Sequence, residues 1–126
     1  AAEQLNDAGI HVAVIDLPWL NRIDDVWVRE TLAKYPIVIT LDNHYLEFGQ
    51  GVMVGAALAR TRVSTDLVPL GVTEIPACGS NADVLAHHGL DADSIAHVVR
   101  RRLGTTKTAP SLAADRGLQP ADRFTS

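Results

Sequence analysis

The spacing of apolar positions changes in blocks along the chain, and each block predicts an element. Ala1, Leu5 and Ala8 share one side of a helix over residues 1–8, and Gly9 supplies the left-handed residue that ends it. Residues 11–17 (His-Val-Ala-Val-Ile-Asp-Leu) are a nearly unbroken apolar run. Such a run suits a strand buried on both faces of a parallel sheet, and Pro18 stops it. Asp24 is placed to cap a helix over about residues 25–35, whose apolar side is Val26, Trp27, Val28 and Leu32. Pro36 breaks that helix, and residues 37–41 (Ile-Val-Ile-Thr-Leu) read as a second buried strand. A polar stretch over 42–51 leads into a small-residue helix over about 52–60. Residues 68–72 form a short third strand, and 73–79 a loop. Ser80 with Asp83 three residues on is a capping box with a shortened acid, and Gly89 closes the helix it opens. Asp91 caps a last helix carrying Ile95, Val98, Val99 and Leu103. Asp93 in its first turn and Arg100, Arg101 and Arg102 in its last complement the helix dipole.

Helices alternating with buried strands predict an α/β fold, a three-layer α/β/α sandwich on a mostly parallel sheet with right-handed crossovers. The organisation expected is one domain over residues 1–103 and a flexible tail over 104–126. The tail is rich in Thr, Ser, Pro, Ala, Asp and Arg without periodicity, and buries too little apolar surface to offset its ordering entropy. A domain that opens inside a helix reads as a piece of something longer.

Composition narrows the function classes. The 126 residues suit one core, and 47% are hydrophobic. The net charge of −4 argues against nucleic-acid or anionic-membrane partners, which need a basic face. No apolar run approaches the roughly 18 residues that span a bilayer, and residues 1–5 lack the pattern of a signal peptide. Cys78 is the only cysteine, so an internal disulfide and a cysteine-rich zinc site are excluded. Without basic neighbours it reads as a small apolar residue, and the expected compartment is the cytoplasm.

Candidate chemistry concentrates in residues 42–51, where the chain leaves a buried strand and enters a helix, the place where open α/β sheets bind ligands. Gly49, Gln50 and Gly51 could present backbone N–H groups to an anion. A full phosphate loop needs a third glycine or a Gly-Lys-Ser/Thr ending, so close helix–sheet approach is the favoured role of the glycines. His44 lies near Asp42 and Glu47 and could act as a base or ligand. With no partner at ligand spacing, it reads as a structural or interface group, alongside Asn43. His87 and His88 at a helix end point about 100° apart and read as capping or solvated side chains. The three arginines read as a solvated face. No nucleophile elbow is present, so the residues by themselves define no catalytic, cofactor or metal site.

Four pieces, in order, resemble the C-terminal domain shared by transketolase, 1-deoxyxylulose-phosphate synthase and the β subunits of 2-oxo-acid dehydrogenases. They are Ala1-Ala2-Glu3-Gln4-Leu5 with Gly9-Ile10; Val14-Ile15-Asp16-Leu17 with Asp24; Val38-Ile39-Thr40-Leu41-Asp42-Asn43-His44 with Gly49-Gln50-Gly51; and Gly89-Leu90-Asp91 with Ile95. In the third piece, Asn43 replaces the family's second acidic residue and Phe48 a usual glycine. Arg22 stands where Pro is frequent. The family's domain begins with one strand before the first helix. That strand is missing here, which leaves one sheet position empty or filled from elsewhere.

The resemblance implies a domain that completes a homodimer and buttresses catalytic domains on the same or another polypeptide. Those domains hold thiamine diphosphate through a Gly-Asp-Gly motif, with Mg, and supply a Glu to the cofactor; neither motif occurs in this chain. The complete enzyme would transfer a two-carbon ketol unit between sugar phosphates, and this chain alone would be inactive. Residues 89–95 look most like the sugar-phosphate branch. The alternatives are the equivalent domain of a 2-oxo-acid dehydrogenase β subunit, and a stand-alone interaction or small-ligand module on the same fold.

Overall fold

A computed structural model describes residues 1–19 and 21–106. Its helices are α1 (Ala2–Asp7), α2 (Asp25–Thr31, continued by a 3-10 turn over Leu32–Lys34), α3 (Gln50–Thr61), α4 (Asn81–His87) and α5 (Ala92–Thr106). Its strands are β1 (Ile37–Tyr45) and β2 (Asp66–Val72). They pair in parallel, with Ile37 opposite Asp66 and Leu41 opposite Leu70. A parallel pair cannot close through a hairpin, and α3 is its crossover. Pro69, opposite Thr40, has no N–H to give a ladder, which suits β2 as an edge strand.

Alternation along β1 divides the core between its two faces. Val38 packs on Val28, Leu32, Val54, Ala57 and Leu58 from α2, its 3-10 extension and α3. The next residue, Ile39, packs on Leu5, Ala96 and Val99 from α1 and α5. Helices therefore cover both faces of the strand pair. Each buried Val or Leu side chain contributes about 1.5–3 kcal/mol relative to exposure.

The caps follow local chemistry. Asp24 Oδ1 accepts from Trp27 N at 2.8 Å. Ser80 Oγ accepts from Asp83 N at 3.3 Å, and its hydroxyl donates to the Asp83 carboxylate at 2.6 Å. The Ser94 hydroxyl, together with amides at the start of α5, holds the Asp91 carboxyl below its usual range. Three helices end in the same pattern, a six-residue backbone loop after the last turn. The bonds are Ile10 N to Leu5 O, Val63 N to Leu58 O and Leu90 N to Leu85 O, at 2.8, 3.1 and 2.8 Å. The left-handed residue is Gly9 in the first and Gly89 in the third, but Arg62, at φ 56°, in the second. A side chain there crowds its own backbone. Arg62→Gly should therefore stabilise the domain by about 0.5–1 kcal/mol, the relief of crowding exceeding the added freedom of the unfolded chain. Urea unfolding at constant m-value measures it, and a lower midpoint would mean that the arginine side chain contributes more than its backbone costs.

Residues 11–17 do not form the expected strand. They have no ladder partner, and Val14 and Ile15 are 80% and 43% exposed. An apolar run forms a buried strand only where neighbours satisfy its backbone groups. Here β1 pairs only with β2 among the described residues, and a cleft of about 680 Å³ lies where residues 10–17, β1 and α5 come together. The sheet thus has two of the three strands expected.

Several boundaries also move, with β2 starting at Asp66 rather than Val68. The strand expected over 37–41 continues to Tyr45, α3 starts at Gln50 rather than Val52, and α5 runs on to Thr106. The last turn of α5 consequently holds no basic residue, and the three arginines do not sit at its end. Arg102 instead reaches Asp66 of β2, Nη1 to Oδ2, at 3.5 Å. Past Thr106, the expected tail lies outside the described residues. No helix among those described is long and apolar enough to cross a membrane.

Candidate functional site

The richest stretch of the sequence folds around one buried carboxylate. Strand alternation turns Thr40 and Asp42 toward α3, and both are buried, at 6% and 3% exposure. The Asp42 carboxylate meets the first turn of α3, where Gln50 N donates to Oδ1 at 3.1 Å and Gly51 N to Oδ2 at 3.5 Å. The Gln50 side chain turns back, its amide donating to Leu41 O at 3.0 Å. A negative group facing unsatisfied amides and the positive end of a helix is a favourable pairing. The α3 N-terminus therefore has its anion already, and that anion belongs to the chain.

The two glycines make this approach possible. A Cβ on Gly49 would overlap the Asp42 carboxylate. A Cβ on Gly51 would lie 2.7 Å from both Pro69 Cβ and Thr40 Oγ1. Close packing is thus the role the geometry gives them. The same geometry decides the fit of a diphosphate and its Mg at this loop. The amides that would cradle phosphate hold Asp42, and both oxygens of the one buried carboxylate are bonded. The loop does not fit the cofactor.

His44 is 45% exposed at the end of β1. Its Nδ1 lies 3.0 Å from Tyr45 O, and its Nε2 3.5 Å from Asp42 Oδ1. Both ring nitrogens face acceptors of the chain itself, so the ring braces the end of the strand. Asn43 and Glu47 are exposed, Glu47 in the 3-10 turn Leu46–Phe48. Asp42, His44, Gly49, Gln50 and Gly51 are brought together, while Asn43 and Glu47 point chemistry outward. Beside these polar groups stand apolar side chains that no polar motif of the sequence includes. Tyr45, Phe48 and Val52 are 47%, 91% and 55% exposed. Phe48, the residue that departs from the family's glycine, was the available signal.

A second group brings together two histidines that helical geometry would point about 100° apart. His87 and His88 meet edge to face, with ring centroids 4.9 Å apart, and both approach Glu74 Oε1. The 100° rule holds inside a helix, but residue 88 is the C-cap of α4 and has left helical geometry. His88 is buried rather than solvated, its side chain 3% exposed, and Nε2 accepts from Ala77 N at 3.2 Å. Cys78, read as a small apolar residue, is exposed. Asp25, beside the Asp24 cap, pairs with Arg60 at 2.7 Å, and that bond holds its carboxyl below the usual range.

Comparison with known proteins agrees with the resemblance. Residues 1–95 match the family described as "Transketolase, C-terminal domain". A transketolase-like protein 2 from Mus musculus is 36% identical over 103 residues, which cover 79% of this chain and 16% of that protein. A 1-deoxy-D-xylulose-5-phosphate synthase from Pseudomonas syringae pv. tomato is 30% identical over 95 residues, 75% of this chain and 15% of that protein. Another, from Polaromonas naphthalenivorans, is 32% identical over 114 residues, 90% and 17% respectively. The chain thus spans about one sixth of the length of these curated relatives. With the family match covering most of its length, the chain belongs to the transketolase C-terminal domain family.

Proposed function

We propose that this chain is the C-terminal domain of a transketolase-type enzyme dependent on thiamine diphosphate, acting in the cytoplasm. It completes the enzyme's homodimer and supports its catalytic domains, and takes no direct part in the chemistry. In the complete enzyme a two-carbon ketol unit passes between sugar phosphates. The cofactor and Mg, held by the partner domains, supply the carbanion chemistry. The single observation that carries the reading is the division of labour in residues 42–52. Two of the polar groups suited to catalysis are used internally, Asp42 on two amides and His44 on its own strand end. Facing outward with the exposed Asn43 and Glu47 are the apolar Tyr45, Phe48 and Val52. A segment of that kind packs against protein.

The cleft beside β1 supports the same reading. It is lined by Leu5, Ile10, Val12, Ile39 and Val99 and runs along the side of β1 that has no strand partner among the described residues. One further parallel strand there would give main-chain partners to β1 and to residues 11–17. It would also complete the three-layer sandwich.

The test uses the complete enzyme, with this chain joined to or co-expressed with its cofactor-binding partner. Phe48→Asp should raise the dimer dissociation constant at least tenfold, while turnover per assembled dimer stays near wild type. His44→Ala should act in the same direction more weakly. The reading is wrong if His44→Ala abolishes turnover while cofactor binding and dimerisation stay normal. It is equally wrong if Phe48→Asp leaves the dissociation constant unchanged.

A further inference from the structure

The geometry points to a binding site for a divalent transition-metal ion of the zinc class, formed by Glu74, His87 and His88 at the C-terminal end of α4. Each residue offers one ligand atom, and the three atoms lie within 4.8 Å of one another. His87 Nε2 is 3.4 Å from Glu74 Oε1, and His88 Nδ1 is 4.0 Å from the same oxygen. An ion bonded at about 2.0–2.1 Å in tetrahedral geometry holds its ligand atoms roughly 3.3–3.4 Å apart. The His87–Glu74 pair already has that separation, and the remaining gaps close by side-chain rotation. Both of those side chains are more than half exposed and free to turn, while the buried His88 gives the site a fixed member.

The donor set selects the ion. Two imidazoles and one carboxylate suit zinc, nickel or copper and not magnesium or calcium, which take oxygen ligands. Three protein ligands leave a fourth position to water.

Binding has a consequence for the loop over 73–79. Without metal, Ala77 N–H donates to His88 Nε2, so the neutral ring carries its proton on Nδ1, facing Glu74. A metal ion on Nδ1 displaces that proton. The neutral ring then carries its proton on Nε2, where it opposes the Ala77 N–H, and that hydrogen bond is lost. Metal occupancy and attachment of the loop to α4 are thereby coupled.

The experiment adds Zn²⁺ and, separately, Ni²⁺ to the metal-stripped 126-residue chain, with calorimetry and amide exchange at Ala77 as readouts. One ion should bind per chain at micromolar concentration. His87→Ala and Glu74→Gln, both at exposed positions that leave the fold intact, should each weaken binding at least tenfold. Cys78→Ser and His97→Ala should bind as wild type does. Exchange at Ala77 should quicken at saturation. Wild-type affinity in His87→Ala or Glu74→Gln overturns the site, as does loss of binding in Cys78→Ser. Unchanged exchange at Ala77 removes His88 Nδ1 from the coordination and overturns the three-ligand site.

Discussion

Gly51→Val lowers the unfolding free energy of the domain by about 1–3 kcal/mol, the cost of forcing extra carbons into a packed contact. Its first added carbon would sit 2.7 Å from Pro69 Cβ and from Thr40 Oγ1. Neither neighbour yields easily. Pro69 is locked by its ring in β2, and Thr40 is a buried β-branched residue of β1. Relief therefore means lifting the first turn of α3 off the sheet, which also draws the Gln50 and Gly51 amides away from Asp42. Gly49→Ala should act through that same carboxylate, because its Cβ overlaps Asp42 directly. Asp42→Ala removes the acceptor of two amides and costs about 1–3 kcal/mol. Since both changes destroy one contact, the double variant Gly49→Ala/Asp42→Ala should lose less than the sum of the single losses. Thermal and urea unfolding of the set decide it. A Gly51→Val protein as stable as wild type would show that α3 does not lie this close to the strands.

Much of this arrangement was legible in the sequence, and the parts that were not share a physical cause. The strand at 37–41, the strand at 68–72, the Asp24 and Ser80 caps and the Gly9 and Gly89 stops are local signals, and each appears where local chemistry puts it. Asp42 stands out in the sequence, but its role does not. It caps a helix that starts eight residues later, and no local motif encodes a cap delivered from a neighbouring strand. Arg62 was invisible because no glycine marks the end of α3. His87 and His88 were separated by an angle valid only within a helix, whereas His88 is already outside it. For residues 11–17 the composition reports what the segment would bury, not whether a neighbour is there to bury it. The apolar run and the edge of β1 that has no partner among the described residues express one fact from two sides.

That distinction gives the other large effect, a contrast between Leu5 and Val14, two apolar residues that the sequence assigns alike to buried faces. Leu5 is 1% exposed and packs with Ala96, Val99 and the partly buried Ile10, Val12, Ile39 and Leu103. Together with the Gln4–Asp93 hydrogen bond at 2.8 Å, this packing ties α1 to α5. Leu5→Ala should cost about 2–5 kcal/mol, the range for a core leucine whose neighbours cannot fully collapse. The upper half is expected if the adjoining cleft simply enlarges, and the lower half if α1 settles inward. Val14, at 80% exposure, contributes little packing in the isolated chain, so Val14→Asp should change its stability by no more than about 0.5 kcal/mol. In the assembled enzyme the two should converge. A strand seated in the cleft would bring residues 11–17 into the sheet, and a carboxylate at position 14 would then lack water. Unfolding of each variant, alone and in the complete enzyme, separates the cases. Loss of several kcal/mol from Val14→Asp in the isolated chain would mean that the segment is already buried there, and that the cleft beside β1 is not open in solution.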